Sequence, residues 1–219
     1  MRTRRTAAAS AVPLAAVLTA ALVLAGCTSA PEGPAPTSSS SAGATAEAPA
    51  AEAPAAGSVD ARLAELGLDA GDGRALVEDL DRLPVAERPA DVMASVRTDH
   101  VLVSVTGGEQ EVPVPLPDDE FYVSFAPYVD GTHDCFYHSL TTCRGELGGQ
   151  EVDVRITDDA TGDVLVDETT TLFDNGFVGY WLPRGVTATL EVEQDGRTAT
   201  TTVLTDDEAP TCLTTLQLV

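Results

Sequence analysis

Between residues 91 and 204 the apolar side chains come in short runs, each closed by turn-forming residues, and this spacing argues for β-structure. Residues 92–96, 101–105, 112–116 and 121–125 read as strands, with Gly107-Gly108 set between the second and third as in a hairpin. Pro113, Pro115 and Pro117 predict an edge position for the third run, because proline brings no N–H to a ladder. Val152, Val154 and Ile156 then alternate with charged residues, as a half-buried strand does. Residues 164–166, 177–182, 187–192 and 198–204 follow, separated by turns at Gly162, Asn175-Gly176, Gly185 and Asp195-Gly196. The pattern predicts a small antiparallel β-sandwich or barrel-like unit, with Phe177 and Trp181 in its core.

Upstream the period changes. Leu63 and Leu66 mark a brief helix stopped by Gly67, and Asp69 reads as the N-cap of a second helix with Asp72 three residues on. Leu76, Val77, Leu80 and Leu83 form one apolar stripe, and Pro84 ends it. The fold class is therefore α+β: short N-terminal helices with a small β region, then the β-rich part. The expected division is a helix-plus-strand region over 58–130 and a cysteine-bearing β domain over 131–219.

The first 27 residues read as an export signal, with Arg2, Arg4 and Arg5 ahead of an apolar run and Leu24-Ala25-Gly26-Cys27 as a lipobox. Cys27 is the expected lipid anchor, which would hold the protein on the outer face of the cell membrane. Residues 28–57 contain 24 Ala, Pro, Ser and Gly in 30 positions and no aromatic side chain. Such a segment buries too little apolar surface to offset its ordering entropy, so it reads as a disordered tether.

Beyond the leader, nine arginines face 35 acidic residues, and lysine is absent. A chain this acidic does not seek nucleic acid. The clusters Asp118-Asp119-Glu120 and Asp206-Asp207-Glu208 lack the spacing of a calcium loop and read as solvated acids. His100 reads as a surface residue.

Chemistry concentrates in residues 133–146, which hold His133, Cys135, His138 and Cys143; a third thiol, Cys212, lies near the C-terminus. Setting Cys27 aside leaves three thiols in an exported chain, an odd number that asks for a reactive thiol, an intermolecular bridge or a metal. One possibility pairs Cys135 with Cys143, closing about nine residues for roughly 2.5 kcal/mol in the chain-entropy description, with Cys212 left over. The other gathers all three thiolates around a soft metal. Cu(I) is satisfied by three sulfurs, whereas zinc as a substitute would recruit His133 or His138, and an iron–sulfur cluster would need a fourth thiolate.

Three segments carry a family resemblance: Phe125 to Leu147, including His-Asp-Cys-Phe-Tyr-His-Ser-Leu-Thr-Thr-Cys; Phe173 to Arg184, beginning Phe-Asp-Asn-Gly and ending Gly-Tyr-Trp-Leu-Pro-Arg; and Pro210-Thr-Cys-Leu-Thr-Thr-Leu-Gln-Leu218. In this order they resemble the CueP family of bacterial envelope copper-binding proteins. The resemblance implies copper binding and copper tolerance, with the family's cysteines falling on Cys135, Cys143 and Cys212. It also implies copper supply to an envelope cuproenzyme such as superoxide dismutase, and a homodimer formed through the N-terminal region. His133 and His138 would be auxiliary ligands. Two other functions stand beside copper sequestration. The thiols could reduce Cu(II) while forming a disulfide, or the chain could be a structural or adhesive β-sandwich with one ordinary bridge.

Overall fold

The computed structural model describes residues 58–219 apart from residue 109. The signal, the lipobox cysteine Cys27 and the 28–57 tether lie outside the described residues. No described helix is long and apolar enough to cross a membrane.

Helix α1 (Val59–Glu65) is capped by Ser58, whose side chain accepts from the Ala61 N–H. Helix α2 (Gly73–Asp81) takes its cap from Asp72, bonded to the Ala75 N–H at 3.0 Å. The expected cap at Asp69 is therefore displaced by three residues: Asp69 instead accepts from Gly71 N–H in a local turn. Leu76, Val77 and Leu80 are fully buried, as the stripe requires, and so is Asp81.

Strands β1 (Val92–Val96), β2 (His100–Val105) and β3 (Glu111–Pro115) form an antiparallel sheet in that order, which leaves the proline-bearing β3 at an edge as expected. A second sheet has the order β10-β4-β7, with β4 (Glu120–Phe125) between β7 (Val178–Pro183) and β10 (Cys212–Leu213). A four-stranded sheet, β6-β5-β8-β9, comprises β5 (Glu151–Asp158), β6 (Val164–Thr171), β8 (Thr187–Gln194) and β9 (Arg197–Leu204). The fold is α+β and rich in antiparallel strands, in open sheets rather than a closed barrel. Among the named strands one pairing departs from the antiparallel expectation: β10 runs parallel to β4, with Cys212 opposite Ser124.

Strand β4 is buried on both faces and joins the two halves of the core. Phe121, Val123 and Phe125 face a cluster with Val154, Ile156, Leu190 and Val192 of the four-stranded sheet. Tyr122, one residue out of phase, faces the helices and the first sheet, in a cluster with Leu76, Leu80 and Val103. Each fully buried Leu, Val or Phe contributes about 1.5–3 kcal/mol, so this strand anchors a large share of the apolar stabilisation. Opposite β4, Gly179 follows from close approach: a Cβ there would fall on the ring and hydroxyl of Tyr122. Trp181 packs against Tyr122 at 4.9 Å between ring centroids. Phe177 is fully buried, but in a small separate cluster with Ala126, Cys143 and Cys212.

Candidate metal centre

Three segments converge at the end of the β10-β4-β7 sheet. The irregular stretch after β4 carries His133, Cys135, His138 and Cys143. Its middle is stitched to β1, since Val96 N–H donates to the His138 carbonyl at 2.8 Å and Leu140 N–H to the Ala94 carbonyl at 2.9 Å. Its other side meets the C-terminal segment, where the N–H groups of Thr211 and Cys212 both donate to the Phe136 carbonyl. Buried Thr211 joins these parts: its hydroxyl oxygen accepts from His138 N–H at 3.0 Å and donates to the Val96 carbonyl at 2.7 Å.

This stitching gathers all three thiols predicted from sequence. Cys135 is bonded to Cys212 across 77 positions, with Cα atoms 5.6 Å apart. Among the described residues Cys143 is the free cysteine; it is buried, its Sγ 3.6 Å from Cys135 Sγ. The Cys135–Cys143 bridge considered from spacing is thus not the one formed. The physical reason is the parallel β10–β4 pairing, which carries Cys212 to Cys135 from the far end of the chain.

His138 is fully buried against Phe177, with ring centroids 4.8 Å apart. Its Nδ1 lies 3.9 Å from Cys212 Sγ, and its Nε2 lies 2.9 Å from Asp81 Oδ1. Asp81 Oδ2 accepts from the Tyr122 hydroxyl at 2.5 Å, and the Arg88 guanidinium stands 3.7 Å from the same carboxylate. Arg88 also donates to the Asp81 and Leu83 carbonyls, closing the C-terminal end of α2.

These charges are coupled. Burial disfavours an imidazolium at His138, but the Asp81 carboxylate and Cys143 outweigh it and raise its pKa to about 9. Burial likewise pushes Asp81 up, yet His138, Tyr122 and Arg88 together hold it below the usual carboxylate range. At Cys143, burial raises the thiol while His138 and the Ser139 N–H, 3.3 Å away, bring it below its ordinary value. Each of the three groups thus biases its neighbour toward the charged form.

The donor atoms form two overlapping groups. Those of His138, Cys143 and Cys212 all lie within 4.8 Å of one another, and so do those of His133, Cys135 and Cys143. The first group is buried throughout; in the second, His133 is exposed and Cys135 half-buried. Cys143 belongs to both. Glu146 shapes the turn ahead of His133 by accepting from the N–H groups of Val129, Asp130 and Gly131. Backbone bonds from Gly131 and Val129 hold its carboxyl below the usual range.

His100, expected at the surface, is half-buried as the first residue of β2, bonded to Asp99 and outside both groups. Sequence reasoning missed Asp81, Tyr122 and Thr211. Asp81 carried a signal: it falls four residues after Val77, on the apolar side of α2, where an unpaired carboxylate would be costly.

A sheet-rich α+β fold that brings sulfur and imidazole donors together in this way has a candidate site for a soft metal. The chain belongs to the CueP family: residues 75–217 match the family described as periplasmic copper-binding protein CueP. A crystal structure described as that of S.CueP is 38% identical, with a TM-score of 0.69, and the match covers 77% of this chain and 100% of that one. No curated protein matches the chain.

Proposed function

We propose that the protein binds copper outside the cytoplasm, holding Cu(I) on the sulfurs of Cys135, Cys143 and Cys212, with His138 as the auxiliary nitrogen donor. The convergence of three sulfurs and the His138 ring at one place carries this reading. Thiolate and imidazole donors favour Cu(I), and hard cations would find no carboxylate in either donor group. Asp81 on the far ring nitrogen of His138 fixes the ring and leaves Nδ1 toward the sulfurs, as carboxylates behind metal-binding histidines do.

The bond between Cys135 and Cys212 must first take up two electrons and two protons from a thiol reductant, because a disulfide offers no thiolate. The test is a Cu(I) titration against a competing chelator under anaerobic conditions. One tight equivalent is expected after reduction, lost in Cys135→Ser, Cys143→Ser and Cys212→Ser. Unchanged affinity in all three variants would sink the proposal.

The disulfide favours a second activity at the same site. Reduced Cys135 and Cys212 would give one electron to each of two Cu(II) ions, yielding two Cu(I), one disulfide and two protons. Thiol counts before and after Cu(II) addition test this, since pure Cu(I) binding leaves all three thiols reduced. Copper tolerance by sequestration, a lipid anchor at Cys27, pairing of two copies through the N-terminal region and transfer to an envelope cuproenzyme complete the proposed role. Zinc would serve as a substitute metal for the same donors.

A further inference from the structure

Copper chemistry leaves one relationship unused: a free cysteine stands beside a disulfide, with one histidine reaching both. Cys143 Sγ is 3.6 Å from Cys135 Sγ, the half-buried sulfur of the bridge. The Ser139 N–H donates to Cys143 Sγ at 3.3 Å and fixes where that sulfur sits. His138 Nδ1 is 3.9 Å from the other bridge sulfur, that of Cys212. Donor atoms of His138, Cys143 and Cys212 all lie within 4.8 Å of one another, so the attacking and departing sulfurs share one imidazole. Cys135 and Cys143 are also only eight positions apart, in a stretch of turns and bends that can adjust without breaking a helix or a long strand.

We propose that the protein catalyses its own disulfide exchange, alternating between a Cys135–Cys212 and a Cys135–Cys143 bridge. The Cys143 thiolate attacks Cys135 Sγ, forming the new sulfur–sulfur bond as the old one breaks. The departing electron pair goes to Cys212 Sγ, which leaves as thiolate beside the His138 ring. Nothing is oxidised or reduced overall, so no outside reagent is needed.

Displacement at sulfur requires the three sulfurs in line. Cys143 Sγ lies within 4.8 Å of Cys212 Sγ as well, so it flanks the bond rather than extending its axis. Each exchange therefore includes side-chain rotation at Cys135 and Cys143. Cys135 is common to both isomers, and the thiol left beside His138 is Cys143 in one and Cys212 in the other.

The exchange does not depend on copper, and its test is metal-free. The full mature chain is incubated at pH 8 with chelator and iodoacetamide, quenched in acid and cut with pepsin, which cleaves among Phe136, Tyr137 and Leu140. Mass spectrometry then assigns each cysteine. The expected result is a mixture of Cys135–Cys212 with alkylated Cys143 and Cys135–Cys143 with alkylated Cys212. In Cys143→Ala, labelling of Cys212 should disappear. Labelling confined to Cys143 after prolonged incubation would overturn the proposal. So would a Cys143–Cys212 bridge, or Cys212 labelling that persists in Cys143→Ala. None of these outcomes bears on Cu(I) affinity.

Discussion

Asp81 and His138, 57 residues apart in the chain, meet through a fully buried 2.9 Å bond between a carboxylate oxygen and Nε2. One ends the second helix and the other sits among the cysteines, so this contact ties the helical region to the candidate metal centre.

Replacing Asp81 with asparagine should therefore act on both stability and site. Removing one partner of a buried pair costs about 3–5 kcal/mol. Losing the carboxylate behind a ligating histidine costs about 10–100-fold in metal affinity. Urea unfolding and a chelator-competition titration of Asp81→Asn would check the two effects separately.

The two histidines should not be equivalent. His138 is buried, oriented by Asp81 and aimed at Cys212, whereas His133 is exposed. His138→Ala should lower Cu(I) affinity by about 10-fold or more, a loss of about 1.4 kcal/mol. His133→Ala should change it far less. Equal losses would assign the outer donor group, His133, Cys135 and Cys143, to the metal instead.

The pH dependence follows from the raised pKa of His138. Its folded value of about 9 exceeds the ordinary 6.5, so the native state holds this proton more tightly than the unfolded chain. The stabilisation is complete below pH 6.5 and is lost as pH rises through 9. Metal-free protein should accordingly unfold more easily at pH 9 than at pH 6.5, with the difference reduced in Asp81→Asn. Cu(I) affinity should move the other way, because the ring must shed a proton to ligate.

The Cys135–Cys212 bridge closes 77 positions, for which the chain-entropy description gives about 4.5 kcal/mol of stabilisation. A Cys135–Cys143 bridge would give only about 2.5 kcal/mol. Reductant should lower the urea midpoint of the metal-free protein, and Cu(I) should restore part of the loss by binding only the folded state.

Strands betray themselves locally, and so most of them were legible. Gly and Asn turn residues and the prolines of β3 carry their information within a few positions, and the edge assignment of β3 followed from them. Strand β10 was not legible, because two residues paired in parallel leave no alternation to detect. That gap explains the bridge: Cys212 reaches Cys135 through β10, while spacing alone drew attention to nearby Cys143. The cysteines and His138 stood out by their crowding. Asp81, Tyr122 and Thr211 arrive from α2, β4 and the C-terminal segment, and only the folded chain brings them to His138.

In the proposed function, sulfur holds copper at this site. X-ray absorption at the copper edge, on reduced protein loaded with one equivalent of Cu(I), addresses it most directly. A first shell dominated by sulfur, losing sulfur in Cys143→Ser and nitrogen in His138→Ala, is the predicted result. A shell of nitrogen and oxygen alone, unchanged by either substitution, would contradict it.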